Sequence, residues 1–309
     1  MTCPPTGGYD LPPVSVVVLN YNGWADTVEC VQSLCASTYR QMGIIVVDNG
    51  STDDSEVQLR SFLDPLRIPL LQTGNNLGFA GGNNHGIRHA LQKGAELIFI
   101  VNNDTTVAPD FLDHLVRVAL SEERVGAVGP KILYAGEPEC IWDAGDRMNP
   151  WLARTPPLCA NKPASAFVGT SEVGALIGCA MLVKRKVFED LGMFDERYFC
   201  QCEDMEFSYR LKKAGWCLKV SMESRIYHKV SRTFSASGYD RWYYATRNRL
   251  LFIQENLPLP QRVTSRAFFW GTRPLKFCEW VLRGRPDLIK ATFRGWRDYR
   301  KRIWGKRRG

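Results

Sequence analysis

The chain has 309 residues, of which 45% are hydrophobic and 23% charged, as in ordinary globular proteins. No uncharged apolar run approaches the ~20 residues that a membrane-spanning helix needs. Residues 1–10 lack the basic patch and apolar core of a signal peptide, so we expect a cytoplasmic protein with reduced thiols. The net charge of +8 is uneven, because residues 261–309 contain 15 Lys and Arg but only 3 Asp and Glu.

The first hundred residues alternate between apolar strands and amphipathic helices. Buried strands are predicted at residues 14–20, 43–48, 68–72 and 96–101, and helices at 27–37, after the turn at 49–54, and at 87–93. Residues 74–86 are rich in Gly and Asn and are predicted as a loop running into the last of these helices. This alternation predicts an α/β fold with a mainly parallel sheet and helices on both faces.

The pattern becomes less regular after residue 125. Strands are predicted at 125–130, 218–220 and 225–227, and helices at 185–191, 203–214 and 239–256. Residues 136–165 are rich in Pro, Gly and Asp without periodicity, which is typical of a long functional loop.

Polar side chains follow the ends of four predicted strands. The clusters are Asn20-Tyr21-Asn22, Asp48-Asn49-Gly50-Ser51, Asn75-Asn76 and Asn102-Asn103-Asp104. In a parallel sheet these ends share one edge, which is where open α/β sheets bind ligands. Carboxylates and amides there can hydrogen-bond a nucleobase and ribose, and glycines let backbone amides approach phosphates.

The cluster at residues 102–104 allows two interpretations. Its amide and carboxylate oxygens are hard ligands that suit Mg²⁺ or Mn²⁺. Alternatively, Asp104 or Thr105 caps a helix that begins near Pro109.

Several other classes of site are disfavoured. The first strand is followed by Asn20-Tyr-Asn-Gly rather than the Gly-x-Gly-x-x-Gly turn of dinucleotide sites, and no Gly-x-x-x-x-Gly-Lys-Ser/Thr phosphate loop is present. Cys200 and Cys202 form the only close cysteine pair, and the sequence shows no second pair that would complete a zinc site.

Two acidic residues and one histidine in the second half are candidates for chemistry. Glu203 and Asp204 open a predicted helix, where they complement the helix dipole or supply a general base at the mouth of the crevice. His228 follows a predicted short strand in the same half, which makes it a candidate metal ligand.

These motifs, taken in order, resemble those of the inverting glycosyltransferases of family 2, which have a GT-A fold. The matching segments are residues 16–22, 46–51, 76–83, 102–104, 178–184, 192–196, 203–207 and 227–228. The bacterial dTDP-rhamnosyltransferase branch is the most similar. The resemblance implies a Rossmann-like catalytic domain at 1–257, with a nucleotide-sugar half at 14–105 and an acceptor half at 106–257.

The resemblance also implies a role for individual residues. Asp204 would be the catalytic base, Glu203 would orient sugar or acceptor, and Asp104 and His228 would hold Mg²⁺ or Mn²⁺. The implied donor-binding residues are Asn20, Tyr21, Asp48, Asn49, Asn76, Gly78, Asn83, Asn102 and Asn103. One departure is Asn102, which stands where the family's Asp-x-Asp motif has its first acid, and this lowers the negative charge of the site.

The implied reaction moves a sugar from a nucleoside-diphosphate sugar, with dTDP-L-rhamnose as the best match. The acceptor would be a hydroxyl group of a glycan or lipid-linked molecule in cell-envelope polysaccharide synthesis. Two alternatives remain open: a UDP- or GDP-sugar donor, and an inactive glycan- or membrane-binding scaffold of the same fold.

Residues 258–309 form a basic, aromatic tail with predicted helical character. One helical stripe in it contains Ile289, Phe293, Trp296, Tyr299 and Ile303. Such a helix either lies in the headgroup layer of an anionic membrane, at the inner face of the plasma membrane, or packs on the catalytic domain. No nucleic-acid-binding motif accompanies the basic residues, so no nucleic-acid partner is expected.

Overall fold

The computed structural model describes residues 11–230 and 238–307, and the prediction that residues 1–10 are not a signal peptide falls outside them. A ten-stranded mixed sheet lies at the centre. Its strands are β1 Val14–Asn20, β2 Met42–Asp48, β3 Leu70–Gln72, β4 Leu97–Asn102, β5 Thr105–Val107, β6 Val125–Tyr134, β7 Glu137–Asp143, β8 Thr170–Glu172, β9 Ala180–Lys184 and β10 Cys217–His228. The main path of the sheet runs β3-β2-β1-β4-β9-β6-β10-β5, with β7 on β6 and β8 on β10.

Helices cover the sheet and form a further layer at the C-terminus. They are α1 Trp24–Cys35, α2 Ser55–Leu63, α3 Gly78–Gln92, α4 Phe111–Leu120, α5 Arg185–Leu191, α6 Glu203–Lys213, α7 Tyr239–Asn256, α8 Leu259–Gly271, α9 Arg273–Leu282 and α10 Asp287–Arg300. No helix within the described residues is long and apolar enough to cross a membrane.

The first four strands in the order β3-β2-β1-β4 are parallel, as the sequence predicts. Asn20 pairs with Asp48, which pairs with Gln72, and Leu19 pairs with Asn102. The polar residues that end these strands therefore lie side by side at one edge. This register fixes the place of the candidate site.

The other half of the sheet is mixed rather than parallel. β9 runs antiparallel to both of its neighbours, β4 and β6, whereas β10 is parallel to β6. The two short strands predicted at 218–220 and 225–227 are one strand, β10, with an irregularity between Ser221 and Arg225. A hydrophobic pattern marks burial but not strand direction, so this part of the topology is not evident from the sequence.

Two local predictions were wrong in detail, and one of the two interpretations of residues 102–104 is excluded. The Gly/Asn segment at 74–86 is a loop only up to Leu77, because α3 begins at Gly78 and continues through its glycines. The predicted loop at 136–165 contains β7 and a 3₁₀ turn at Ala164–Ala166. Asp104 and Thr105 cap no helix, because β5 follows at once and α4 begins only at Phe111.

The hydrophobic core lies on both faces of the sheet. Side chains of a strand alternate between faces, and here both faces are covered. Val16 and Val18 of β1 belong to one buried cluster, while Val17 belongs to the other. All three are fully buried, which explains why β1 reads as a continuous apolar run instead of an alternating one.

The C-terminal tail packs against α7 rather than standing apart. Its helix α10 buries Leu288, Ala291, Thr292, Gly295 and Asp298. A Cβ atom at Gly295 would lie 2.5 Å from the carbonyl oxygen of Tyr243 in α7, so only glycine permits this close approach. The buried face is therefore offset from the apolar stripe that the sequence singled out.

Candidate active site

A cavity of about 400 Å³ opens at the carboxyl edge of the parallel strands. Seven residues that the sequence singled out line it: Tyr21, Asn49, Asn76, Gly78, Asn102, Asn103 and Asp104. Its size falls within the range of small-molecule sites. The sheet thus brings together side chains from the ends of β1, β2 and β4 and from the start of α3.

Beneath the cavity, the side chains of Asn20 and Asp48 are almost fully buried. Nδ2 of Asn20 donates to Oδ1 of Asp48 at 2.9 Å, and the Ser51 hydroxyl donates to the same oxygen at 2.5 Å. Oδ1 of Asn20 accepts from the Thr27 hydroxyl at 2.8 Å. These bonds hold the strand ends in place, and neither Asn20 nor Asp48 is a lining residue of the cavity.

Asn49 and Asn76 organise the wall formed by the start of α3. Nδ2 of Asn49 donates to the Gly78 carbonyl oxygen at 3.0 Å, and Oδ1 of Asn76 accepts from the Gly78 amide at 2.9 Å. Gly78 has φ +75°, and a Cβ atom there would lie 2.2 Å from the carbonyl oxygen of Phe199. Glycine is therefore required where α3 meets the segment containing Phe199.

Asn83 and Asn103 differ in their relation to the cavity. Asn83 is fully buried within α3, where its Nδ2 donates to the Phe79 carbonyl oxygen at 3.0 Å, and it does not line the cavity. Asn103 lines the cavity, and its Nδ2 donates to the Thr27 hydroxyl at 3.0 Å and to the Gly23 carbonyl oxygen at 3.2 Å. Asn103 thus ties the end of β4 to α1.

Pairing of β5 with β10 brings His228 beside Asp104. His228 pairs with Thr105, and its Nε2 lies 3.2 Å from Oδ1 of Asp104 without forming a hydrogen bond. Oδ2 of Asp104 and both ring nitrogens of His228 are buried without hydrogen-bond partners. Unpartnered buried polar atoms are costly, and a cation between the two side chains would satisfy them.

Asp104 and His228 therefore fit a divalent metal as a partial ligand set. In the parts of the chain that the structure describes, no three His, Cys, Asp or Glu side chains are grouped to hold a metal. Mg²⁺ characteristically takes one or two protein ligands together with waters and substrate phosphates. Two protein ligands beside a nucleotide-sized cavity agree with that mode of binding.

Asp204 lies at the start of α6, behind the cavity lining. Its carboxylate accepts from the Gly178 amide at 3.0 Å and from its neighbour Met205 at 2.7 Å. A Cβ atom at Gly178 would touch the ring of Phe79, a cavity-lining residue, and would lie 3.5 Å from the Cβ atom of Asp204. Burial raises the pKa of Asp204, and these two backbone bonds oppose that rise.

Glu203 is more enclosed than Asp204. It is 6% exposed, and its Oε2 has no hydrogen-bond partner. Burial, with the charge of Asp204 added, raises the pKa of Glu203 well above its ordinary value.

The sequence analysis did not identify a second pair of carboxyl groups near Asp204, those of Asp143 and Asp146. Asp143 ends β7, and Asp146 lies three residues further on; both are largely buried. Burial raises the pKa of Asp143 to about 6 and that of Asp146 to about 8, where the charges of Asp143 and Asp204 add to the effect. The two carboxyls titrate as one coupled pair. They lie in the segment predicted as a loop, where no periodicity could have marked them as buried.

The segment before α6 has an unusual backbone that α7 holds in place. Phe199, Gln201 and Cys202 all have positive φ values, between 62° and 69°, which is costly for residues other than glycine. Nδ2 of the fully buried Asn248 lies 2.7 to 2.8 Å from the carbonyl oxygens of residues 198, 200 and 201. Fully buried Arg247 donates to the carbonyl oxygens of residues 197 and 198.

The largest contributions that the sequence did not reveal come from distant segments. Phe199, Cys200, Asp240, Tyr244, Lys306 and Arg307 also line the cavity, together with Phe79, which follows Gly78 directly in α3. No local pattern marks the six distant residues, since their approach depends on how α7 and the chain end pack. A separate cavity of about 500 Å³ lies between α7, α8 and α10 and contains none of the predicted site residues.

The mixed sheet with its covering helices has the GT-A fold, as the comparison with solved structures shows. The mannosyltransferase PcManGT from Pyrobaculum calidifontis, solved with GDP-Man and Mn²⁺, has a similar fold. Its TM-score is 0.58 at 15% identity, covering 96% of this chain and 92% of that chain. The family model described as Glycosyl transferase family 2 matches residues 15–192, and the chain belongs to that family. It is therefore a glycosyltransferase.

Two bacterial relatives have names that specify a sugar. The N-acetylglucosaminyl-diphospho-decaprenol L-rhamnosyltransferase of Mycobacterium tuberculosis is 29% identical over 290 residues, which cover 87% of this chain and 89% of the relative. The dTDP-rhamnosyl transferase RfbF of Shigella flexneri is 24% identical over 221 residues, covering 69% of this chain and 71% of the relative.

Proposed function

We propose that this chain transfers L-rhamnose from dTDP-L-rhamnose to a hydroxyl group of a lipid-linked or other glycan acceptor in cell-envelope polysaccharide synthesis. The names of the two rhamnosyltransferase relatives support the choice of sugar. The observation that carries the proposal is the single cavity in which seven predicted residues meet, with Asp204 behind its lining. The reaction would take place in the cytoplasm, where nucleotide sugars are made.

The donor would lie with its base near Tyr21 and Asn49 and its diphosphate towards Asp104. The buried Asn20–Asp48 pair keeps the strand ends of this pocket fixed, so little ordering is needed when the nucleotide binds. Asp104 and His228 would hold Mg²⁺ or Mn²⁺. Bound there, such an ion supplies charge neutralisation for the departing nucleoside diphosphate.

Asp204 would act as the general base for the acceptor hydroxyl. Its raised pKa makes it a better proton acceptor than an exposed aspartate. The backbone bonds from Gly178 and Met205 orient the carboxylate and favour its charged form. A single displacement assisted by one base inverts the configuration at the anomeric carbon, since the acceptor attacks opposite the leaving group.

A donor screen by thermal shift tests the choice of nucleotide sugar. A bound donor raises the melting temperature according to RT ln(1 + [L]/Kd), so dTDP-L-rhamnose should give a larger shift than matched concentrations of UDP- and GDP-sugars. A larger shift with a UDP- or GDP-sugar would replace the rhamnose assignment. Binding of a donor without any hydrolysis or transfer, with and without Mn²⁺, would favour an inactive scaffold.

We also infer that the tail attaches the enzyme to the inner face of the membrane. Several apolar side chains of α8 and α9 are more than half exposed, namely Leu259, Val263, Leu275, Val281 and Leu282. Basic residues such as Arg262 and Arg283 accompany them. Exposed apolar side chains together with basic residues suit an anionic bilayer.

Vesicle binding tests this attachment. The double variant L275S/L282S should bind phosphatidylglycerol vesicles more weakly than the wild type at low salt. Leu120→Ser is the matched control, because Leu120 is 55% exposed at the end of α4, outside the tail. Equal binding by all three proteins, or no binding by the wild type, would reject the attachment.

A further inference from the structure

The end of the described chain lies on the cavity of about 400 Å³ at the candidate site, which we call the donor cavity. Lys306 and Arg307 line the same cavity as Asn102, Asn103 and Asp104, although some 200 residues separate them in sequence. The basic tail thus contributes directly to the site, in addition to any membrane contact made by α8 and α9.

Buried contacts fix the position of this chain end. Nη1 of Arg247, a fully buried residue of α7, donates to the Gly305 carbonyl oxygen at 2.6 Å. The Gly305 amide donates to the Arg197 carbonyl oxygen at 3.3 Å, and the Arg307 amide donates to the Tyr244 hydroxyl at 2.8 Å. Residues 305–307 are therefore held against the same segment, residues 197–201, that Asn248 and Arg247 secure.

The two cations at this chain end have different partners. Arg307 donates through Nε to Asp240 at 2.6 Å and lies over the ring of Tyr239, 5.3 Å from its centroid. Lys306 is exposed and has no ion-pair partner within residues 11–230 and 238–307. Among the described residues, Lys306 is thus an unpaired positive charge at the cavity, while Asp240 holds Arg307 in place.

The site needs positive charge for a diphosphate. Each phosphate of a nucleotide sugar carries one negative charge and the departing nucleoside diphosphate carries more, whereas a divalent ion held by the Asp104 carboxylate has a net of only one positive charge left for them. Lysine and arginine are the side chains that bind phosphate oxygens, through charge-assisted hydrogen bonds. Both are present at this cavity, beside Asn102 and Asp104.

We propose that Lys306 and Arg307 bind the diphosphate of the nucleotide donor, so that the C-terminal segment 305–307 forms part of the donor site. This inference rests on the proposed function, since it needs a nucleoside diphosphate in the cavity. It assigns a binding role to residues outside the segment matched by the family model, 15–192.

Calorimetric titration with dTDP, dTMP and thymidine tests the assignment on the full chain. Lys306→Ala should weaken dTDP binding about tenfold, because a charge-assisted contact to phosphate is lost, and should leave thymidine binding unchanged. Lys301→Ala is the matched control, as it removes the same charge from an exposed position of the tail that does not line the cavity. Arg307→Ala should act in the same direction as Lys306→Ala, and raising the salt concentration should reduce the difference from wild type.

The outcomes separate this inference from the proposed function. If wild type binds none of dTDP, UDP or GDP, the proposed function fails. If wild type binds dTDP and Lys306→Ala binds it equally well, or more tightly because the chain end had obstructed the cavity, only the diphosphate assignment fails. An unchanged melting temperature without ligand shows that the variants remain folded.

Discussion

At the scale of single residues, Asp204 is the side chain on which the proposed chemistry most depends. Asp204→Asn keeps the shape of the side chain but removes the proton acceptor. We expect rhamnose transfer to fall by ~10²–10⁴-fold, while dTDP binding stays at the wild-type level because Asp204 does not line the donor cavity. Single-turnover transfer and dTDP titration measure the two effects separately.

A surface acid provides the control for Asp204→Asn. Asp190 forms an exposed ion pair with Lys186 on α5, and Asp190→Asn should retain full transfer. Loss of dTDP binding in Asp204→Asn, with the rate per bound donor unchanged, would contradict its role as the base.

The buried pair Asp143 and Asp146 predicts how stability varies with pH. The pKa of Asp146 is raised to about 8 in the folded protein, whereas an unfolded aspartate titrates near ~3.9. The folded state therefore binds more protons over this interval, and the free energy of unfolding falls as the pH rises. We expect the melting temperature to decrease from pH 5 to pH 8, and to decrease less in Asp146→Asn, which cannot ionise.

Glu56→Gln is the control for this pH dependence, because Glu56 lies in an exposed pair with Arg60 on α2. That variant should follow the wild-type profile. Differential scanning calorimetry in buffers of equal ionic strength measures the melting temperature against pH. If it falls equally in Asp146→Asn and in wild type, the buried pair is not the cause of the pH dependence.

At the scale of elements, the junction between α3 and the segment before α6 shapes one wall of the cavity. Gly78 and Gly74 both have φ +75°, but a Cβ atom at Gly78 would meet Phe199 at 2.2 Å, while one at Gly74 would meet nothing within 4 Å. Gly74→Ala should cost about 1 kcal/mol for its backbone conformation alone. Gly78→Ala should cost at least twice as much, because the wall must also move.

Thermal unfolding and dTDP titration of the two variants check this expectation. For a chain of this size about 1 kcal/mol corresponds to about 2 °C in melting temperature. Only Gly78→Ala should also weaken dTDP binding, since Phe199 lines the cavity. Equal melting temperatures for the two variants would contradict the expectation, because they would show that Phe199 can move away from the added methyl group without loss of stability.

At the scale of the whole molecule, the tail shares its packing with the catalytic part. Tyr299 and Trp304 pack on a buried cluster that contains Leu251 and Phe252 of α7. The Tyr243 hydroxyl donates to Oδ2 of Asp298, a buried residue of α10, at 2.9 Å. We therefore expect one cooperative unfolding transition, with equal calorimetric and van't Hoff enthalpies.

The predicted boundary at residue 257 gives the opposite expectation. If residues 258–309 fold as an independent tail, calorimetry of the full chain should show an earlier, smaller transition. A variant that ends at residue 257 would then keep the main transition unchanged. With shared packing, that variant should instead melt at a markedly lower temperature, because the buried surface of α7 becomes exposed.

The sequence by itself determined the parallel half of the fold and singled out seven of the fifteen residues that line the candidate cavity. Asn20, Asp48 and Asn102 end three apolar runs, and parallel pairing places such ends at one edge whatever the details of packing. Residues near the strand ends, such as Tyr21 and Asn49, were found for the same reason. The positions of strand ends follow from hydrophobic periodicity and from turn-forming residues, and both can be recognised in short stretches of sequence.

Only the tertiary structure decided how distant residues come together at the site. The sequence singles out Asp104 and His228 as candidate metal ligands, but it is the antiparallel pairing of β10 with β5 that makes them neighbours, and strand direction leaves no trace in a buried apolar pattern. Lys306 reaches the cavity because buried Arg247 holds the chain end. Asp143 and Asp146 lie in a segment whose sequence has no periodicity, so their burial is visible only in the structure. Such contacts depend on long-range packing, in which each partner is specified by the whole fold rather than by its neighbours in the chain.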